Sequence, residues 1–346
     1  MSQVSATADI ATTPTRRIST GMLWLLALFA VALAIPFTMS DYHVFQATQI
    51  VVYAIAVLGF NLLTGFSGQI SLGNGSFYAL GAYTSVVLMT RAGVPYWLAP
   101  PIAGVVCFGV GFLFGRSATR LEGIYLALAT FGLAIVTPQI LKLDALEQYT
   151  GGAQGVVVPK PSSPIPGLNN DQWLYFFCLA VAVVLFTAAV NVMRGRSGRA
   201  MIALRDHPIA AGTMGVHVPS YKARVFGISA AYTGVAGALG GLIAGFVAPG
   251  SFEILLSIQL LIGGVVGGVA SIFGTLFGAL FIEVVPDLTK QISETHESLK
   301  WLADLQYPMY GVLLIVTMML MPGGMAGLVW SARLRIARNA MRKPRT

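Results

Sequence analysis

Long apolar runs alternate with short polar connections along nearly the whole chain. Ten of these runs approach or reach the roughly 20 residues that a helix needs to cross about 30 Å of hydrocarbon. They lack the strict apolar–polar alternation of membrane β-strands. The pattern therefore predicts an all-α fold, a polytopic transmembrane helical bundle of about ten spans, some short or discontinuous. The predicted spans are residues 21–37, 46–64, 70–90, 97–115, 122–141, 173–193, 224–247, 255–270, 273–286 and 307–329.

Composition supports the same class of protein. Apolar residues make up 56% of the chain and charged residues only 10%, whereas about a quarter of the residues of a soluble protein are charged.

The predicted organisation of the chain has three parts. These are a disordered cytoplasmic amino terminus at 1–20, a transmembrane domain at 21–330 with a cytoplasmic loop at 194–224, and a basic cytoplasmic tail at 331–346.

The charges predict how the spans are oriented. Cytoplasmic loops of membrane proteins retain Lys and Arg, and ten spans with an internal amino terminus place sixteen of the 21 basic residues on the inner side. Most acidic residues fall in the two long loops on the outer side, 142–172 and 287–306. The net charge of +8 is thus explained by topology and by contact with anionic membrane lipid. No aromatic-interleaved basic patch indicates a nucleic-acid partner.

Motifs for catalysis are missing from the sequence. It contains no H-E-x-x-H, G-x-S-x-G or C-x-x-C motif, and no Walker A loop that would hold the phosphates of ATP. We therefore expect no catalytic residue, no metal site and no cofactor in this chain. If ATP drives its activity, another chain must hydrolyse it.

A first polar interruption, GFNLLTGFSGQISLGNGSFYALGAYTS, spans residues 59–85. Polar side chains are costly in hydrocarbon unless they pair or face water, and unwound backbone is tolerated there only inside protein or along a cavity. The segment is therefore predicted to line a substrate path. The alternative is structural: small residues let helices pack closely, and carboxamides can bridge helices. The candidate path residues are Asn61, Gln69, Ser71 and Asn74, and the candidate hinge glycines are Gly65, Gly68 and Gly73.

A second interruption lies at residues 263–286 and contains Gly268, Ser271 and Gly274. The spacing Gly268-x-x-Ser271 repeats Gly68-x-x-Ser71 at a distance of 200 residues. Transporters built from internal repeats show such echoes. Ser271 joins the candidate path residues, and Gly268 and Gly274 join the candidate hinges.

The loop at 194–224 contains a short helix with recognisable ends. Asp206 is the expected N-cap, Pro208 suits the first turn, and Gly215 suits the position after the helix. Isolated helices of fewer than about 12 residues are marginal in water, so this one must lie against another surface. Ile209 and Met214 provide an apolar face. That surface is either the membrane, as for an interfacial helix, or a groove on a cytoplasmic protein.

The chain resembles a known family of transporters. IAAGTMG at 209–215 is similar to the A-A-x-x-x-G core of the coupling loop in ABC importer permeases, with Ile209 in place of a frequent glutamate. Further motifs resemble the permeases of branched-chain amino-acid importers, of LivM rather than LivH type. They are residues 59–85, RLEGIYLALATFGLA at 120–134, TGG at 150–152 with Gly155, the stretch 198–239, the stretch 249–280, and MPGGMAGL at 321–328.

The resemblance implies a function and a set of partners. A periplasmic binding protein would deliver an amino acid, this chain and a LivH-type permease subunit would form the path, and two cytoplasmic ABC ATPase subunits would bind ATP and Mg²⁺. The protein would then lie in the bacterial inner membrane with both termini in the cytoplasm. The residues implied in ATPase coupling are Arg205, Asp206, Pro208, Ile209, Ala210, Ala211, Met214 and Gly215.

Other functions stay open on the sequence alone. The cargo of a related importer could be urea, an amide, or a small organic or aromatic acid. An ion-coupled secondary transporter would need intramembrane carboxylates, and the available ones, Glu122, Glu253 and Glu283, lie near the ends of predicted spans. An intramembrane enzyme would need a nucleophile with its base or a metal cluster, and the sequence shows neither.

Overall fold

The computed structural model describes residues 32–118, 121, 123–295 and isolated positions between 311 and 327. Most of the predicted spans at 21–37 and 307–329 lie outside the described residues. So do the predicted amino-terminal segment 1–20 and the predicted tail 331–346. Glu122, one of the candidate carboxylates, is also outside them.

The described chain is almost entirely helical. Its only strands in the described ranges are the two-residue pair β1 and β2, with Val156 opposite Val247. The helices are α1 (Asp41–Asn61), continued by a π-helical turn (Leu62–Phe66), α2 (Asn74–Arg91), α3 (Ala99–Ala118), α4 (Ile124–Leu141), α5 (Asp144–Thr150), α6 (Asn170–Arg194), α7 (Arg196–Asp206), α8 (Pro208–Thr213), α9 (Val218–Ala244), α10 (Ile254–Gly267) and α11 (Gly274–Thr295); β1 is Val156–Val157 and β2 is Phe246–Val247.

Six described helical segments are long and apolar enough to cross a membrane. They are Asp41–Phe66, Ala99–Ala118, Ile124–Leu141, Asn170–Arg194, Val218–Ala244 and Pro249–Gly267. The all-α polytopic membrane fold is thereby supported, while the count of ten spans stays a prediction. Each segment overlaps one predicted span, because an apolar run of this length fixes where a membrane helix lies better than it fixes its ends.

Two differences between the predicted spans and the observed helices affect the polar segments. The span 70–90 starts too early, since residues 70–73 are not helical and α2 begins at Asn74. The span 273–286 ends too early, since α11 continues through Pro286 to Thr295. Glu283 therefore lies in the middle of a helix rather than near its end, which corrects the sequence-based placement. Proline does not end a helix when neighbouring elements satisfy the freed backbone groups.

Helix α9 is the centre of the bundle and is almost completely buried. Small residues on α3 let it approach closely: a Cβ on Gly104 would press on Val235, and one on Gly115 would press on Phe226. On the other side, Gly81 of α2 meets the backbone of Gly234. Membrane helices associate through such close backbone contacts because lipid offers no hydrophobic driving force.

The outward faces of α4 and α6 are apolar. Along α4 the exposed residues Ile124, Leu128, Phe131 and Ile135 follow one another at intervals of four, three and four, which forms one stripe of a helix. Residues on α6 such as Val183 and Val184 are similarly exposed. An apolar surface of this extent suits lipid or another membrane subunit, as expected for a multi-pass membrane protein.

The bundle has two distinct ends. Helices α7 and α8 lie at the start of α9, and this is called the α8 end below. The β1–β2 pair lies at the opposite end of α9, called the β end, about 40 Å away for a helix of 27 residues. At the β end, the Val158 N–H donates to Gly245 O at 2.9 Å and Val158 is buried. The Gly- and Pro-rich loop after α5 is thus anchored to the bundle.

Candidate functional site: two helix breaks and the short helix beside them

The first break separates α1 from α2. Helix α1 ends in the π-helical turn, a feature frequent at functional sites, and residues 68–73 are not helical. Buried Gln69 holds the unwound chain, donating through Nε2 to Ser67 Oγ at 2.9 Å and to Lys222 O at 3.4 Å. The backbone carbonyl oxygen of Gln69 accepts a hydrogen bond from Thr64 Oγ1 at 3.1 Å. Hydrogen bonds to other protein groups therefore hold the non-helical backbone at this break.

The second break separates α10 from α11, and Asn61 fills it from the end of α1. Its Nδ2 donates to Gly268 O at 3.1 Å and to Ser271 O at 2.9 Å, and its Oδ1 accepts the Ala270 N–H at 2.8 Å. Asn61 is only 1% exposed. One carboxamide thus joins α1 to three backbone groups more than 200 residues away.

The two breaks share a local design. Gly68 has φ +72° and Gly268 has φ +114°, conformations in which residues with a Cβ are strained. The Oγ of Ser71 accepts the Gly73 N–H at 3.3 Å, and the Oγ of Ser271 accepts the Gly274 N–H at 3.0 Å. The next helix begins six residues after the glycine in both cases, at Asn74 and Gly274. The repeat suggested by the spacing thus has a counterpart in local geometry.

The remaining predicted hinge glycines act through close packing. A Cβ on Gly65 would collide with the amide oxygen of Asn61, one on Gly73 would lie 3.1 Å from Thr130 O, and one on Gly274 would collide with Gly267 O.

The predicted path residues are largely enclosed: Asn74, Ser71 and Asn61 are buried, and Ser271 is half-buried. The structure brings the predicted path residues to the two breaks; their contact with cargo stays a prediction.

Three hydroxyl groups that sequence reasoning missed surround the start of α2. The Leu72 N–H donates to Thr130 Oγ1 at 2.9 Å, the Gly75 N–H donates to Ser257 Oγ at 2.9 Å, and the Asn74 amide donates to Thr233 Oγ1 at 3.5 Å. These partners come from α4, α10 and α9. Beside them, Ser76 Oγ is buried and has no hydrogen-bond partner among the described residues. The start of α2 is therefore surrounded by polar groups inside an apolar bundle. This cluster, called the polar waist below, consists of Asn74, Ser76, Thr130, Thr233 and Ser257.

The α8 end contacts the first break through Arg205. Its Nη1 donates to Gly65 O in the π-helical turn at 3.1 Å, and its Nε pairs with the Asp206 carboxylate at 2.9 Å. The stem of Arg205 covers Gly68, where a Cβ would lie 2.9 Å from Arg205 Cγ. A cavity of about 170 Å³, lined in part by Gln69 and Lys222, lies beside this contact. A movement of α7 and α8 would thus act directly on the π-helical turn.

The short helix differs in its first residue from the prediction. Asp206 is the last residue of α7 rather than an N-cap, because its carboxylate pairs with Arg205 and one residue, His207, suffices to turn the chain into α8. Pro208 begins α8 as expected. The helix ends at Thr213, one residue early, with Met214 as C-cap. Gly215 follows with φ +87°.

The outer face of α8 is apolar and open. Ile209 and Met214 are 85% and 87% exposed, and Ala210 is also exposed, whereas Ala211 is buried. Ala211 accordingly attaches the helix to the rest of the chain and the other three form its free face. Among the described residues, no group of three or more His, Cys, Asp or Glu side chains could hold a metal ion.

Comparisons with known proteins identify a transporter family. The sequence profile of a family described as "Branched-chain amino acid transport system / permease component" matches residues 42–321. The high-affinity branched-chain amino acid permease LivM of Salmonella typhimurium is 36% identical over 263 residues, which are 69% of this chain and 61% of the relative. The chain thus spans about three fifths of the length of that relative.

More distant relatives are also permeases. LivH of Escherichia coli is 22% identical over 222 residues, covering 57% of this chain and 68% of LivH. The guanosine ABC transporter permease NupQ of Bacillus subtilis is 26% identical over 196 residues, covering 51% of this chain and 58% of NupQ. No solved structure matches the chain.

Proposed function

Because the chain belongs to the permease-component family of branched-chain amino acid transport systems, we propose that it is the membrane-spanning subunit of an ATP-driven importer. Its cargo is a branched-chain amino acid delivered by a periplasmic binding protein. A LivH-type subunit completes the path, and two cytoplasmic ATPase subunits bind ATP and Mg²⁺. This chain has no catalytic residue in the proposal, since its part is to bind, conduct and move.

The observation that carries the proposal is the exposed apolar face of α8. Ile209 on α8 and Met214 at its C-cap are far more exposed than Ile202, the exposed large apolar residue on α7. The helix has only six residues and is held by its neighbours through Ala211. Large exposed apolar groups on a short, anchored helix suit insertion into a groove of another protein. We assign that groove to an ATPase subunit.

The orientation follows from the same assignment. The α8 end faces the cytoplasm and the β end faces the periplasm, in the bacterial inner membrane. The basic residues of α7 support this choice, since Arg196, Arg199 and Arg205 all lie at the α8 end and cytoplasmic segments are enriched in Arg. Both termini are then cytoplasmic, and the spans number about ten.

Arg205 provides a physical link from the ATPase to the path. When the ATPase pair closes, α8 and α7 move as one body, and the Arg205 contact to Gly65 O displaces the π-helical turn. Asn61 lies at the start of that turn and holds the second break. The polar waist at Asn74 then lies between two segments that can move, which suits alternating access of the cargo.

Co-purification tests the docking assignment. We expect the double variant Ile209→Glu with Met214→Glu to lose ATPase subunits from the purified complex, because two charges would have to be buried in an apolar groove. Ile202→Glu is the matched control, since Ile202 is exposed on α7 but lies off the α8 face. Normal ATPase stoichiometry in the double variant, or equal loss in both, would contradict the assignment.

A further inference from the structure

A cavity of about 140 Å³ lies toward the β end of the bundle, where α1, α2, α9 and α10 meet. We call it the outer chamber. Ala244, Phe246 and Ser251 on its wall are exposed, so they form a rim that opens to the surroundings. The complete wall consists of Gln49, Tyr53, Tyr78, Gly240, Gly241, Ala244, Phe246, Val247, Ser251, Phe252 and Leu256.

Aromatic rings and glycines shape the chamber. The Phe252 ring packs against those of Tyr78 and Tyr83, with centroids 6.1 and 5.9 Å apart. Tyr78 fits over Gly240, where any Cβ would collide with the tyrosine hydroxyl. The wall therefore combines apolar surface, held in place by interlocking rings, with hydrogen-bonding groups from the Gln49 amide and the Ser251 hydroxyl.

The size of the chamber limits what it can hold. A cavity of about 150 Å³ in another protein accommodates benzene, so about 140 Å³ holds an aliphatic side chain of three or four carbons. A bulky aromatic side chain such as indole exceeds it. Size and lining together select a small, branched apolar group.

The floor of the chamber adjoins the polar waist. Leu256 on the wall is followed by Ser257, which binds the start of α2, and Tyr78 lies one helical turn after Asn74.

We infer that the outer chamber receives the aliphatic side chain of a free amino acid as the cargo leaves the binding protein and enters the path. This inference rests on the proposed function, which supplies the direction of transport. It assigns Tyr53, Tyr78, Ala244, Phe252 and Leu256 as residues that select cargo by the size of its side chain. The first amino acid they favour is leucine, followed by valine.

Uptake of single amino acids tests the inference in proteoliposomes that contain the full transporter, with the binding protein saturated by leucine, valine or alanine in turn. Ala244→Leu fills part of the chamber at an exposed position. We expect it to lower leucine uptake by roughly tenfold, the effect of about one or two misfitted methylene groups, and alanine uptake by less than about twofold. Ala180→Leu, exposed on α6 away from the chamber, is the matched control.

The opposite change tests the same selection. Leu256→Ala enlarges the chamber, and we expect the ratio of phenylalanine to leucine uptake to rise severalfold, a ratio that is insensitive to how much transporter folds. An unchanged leucine-to-alanine ratio in Ala244→Leu would overturn the inference while leaving the proposed function intact. If the unaltered transporter showed no ATP-dependent uptake of any amino acid, the proposed function itself would fail.

Discussion

Replacing Asn61 by leucine probes the contact that joins the two breaks. The change keeps the approximate shape of the side chain but removes three hydrogen bonds, to Gly268 O, Ser271 O and the Ala270 N–H. All three backbone groups lose their side-chain partner at a site where Asn61 is 1% exposed. Buried backbone groups without partners destabilise a fold by the cost of their desolvation.

The expected loss can be worked out from these three bonds. Hydrogen bonds between membrane helices contribute about 0.6 kcal/mol on average and up to about 1.7 kcal/mol. Three of them together amount to about 2 kcal/mol, with about 5 kcal/mol as the upper bound. At roughly 2 °C per kcal/mol for a chain of this size, the melting temperature should fall by about 4 °C or more.

The melting temperature of the detergent-purified protein, followed by size-exclusion chromatography after heating, measures this effect. Asn191→Leu serves as the control, since Asn191 is exposed on α6. We expect the control to change the melting temperature by less than about 1 °C, the usual range for a surface position. Equal behaviour of the two variants would refute the reasoning, because it would mean that the Asn61 bonds add nothing to the fold.

Two further predictions concern the α8 end. Arg205→Ala should retain the ATPase subunits but lower ATP-dependent uptake, because α8 keeps its face while the link to Gly65 O is lost; uptake at the unaltered level per complex would count against the link. Single cysteines should also report the orientation, since both native cysteines are buried. In intact spheroplasts, a membrane-impermeant maleimide should label Val157→Cys, which is 71% exposed at the β end, but should label Met214→Cys only after permeabilisation; the reverse pattern would invert the topology.

The sequence predicted the breaks better than their partners. Dense glycine and polar residues within apolar runs pointed to Gly68 and Gly268, and both have positive φ. The partner of Asn61 was not predictable, because it consists of backbone groups 207 to 210 residues away. A carboxamide in an apolar run indicates that some partner exists, since leaving it unpaired is costly, but not where the partner lies.

The threonine hydroxyl groups also show that the sequence does not reveal where a polar side chain finds its tertiary partner. Thr84 and Thr137 donate to carbonyls of their own helices at Leu80 and Leu133, at 2.6 and 2.8 Å, as threonine in a membrane helix commonly does. Thr130 does so as well, at 3.0 Å, and in addition accepts the Leu72 N–H of another segment. All three lie in apolar helical runs. Only the tertiary packing of α4 against the first break gives Thr130 its second partner.

The capping of α8 shows how a local rule can be outweighed. Asp206 satisfies the preference for an N-cap before Pro208, yet the carboxylate pairs with Arg205 at 2.9 Å and α7 extends through it. The guanidinium of Arg205 is itself held by Gly65 O, so the position of Asp206 is determined by a contact outside the loop. Asp206 therefore stays in α7, and the N-cap position of α8 falls to His207, whose side chain makes no capping hydrogen bond.

The distribution of contacts favours movement at the α8 end over movement in the middle of the bundle. Helix α9 is locked by backbone-to-backbone approaches at Gly234 and Gly237, which have no room for displacement. The α8 end instead meets the first break through the Arg205 contact to Gly65 O and the Gln69 contact to Lys222 O, beside a cavity of about 170 Å³. Because the π-helical turn is bonded on one side to Arg205 and begins on the other at Asn61, a displacement of α8 would reach both breaks through this turn. A transport path that opens alternately to each side requires a rigid central helix and neighbouring segments that can move, here α9 and the two helix breaks.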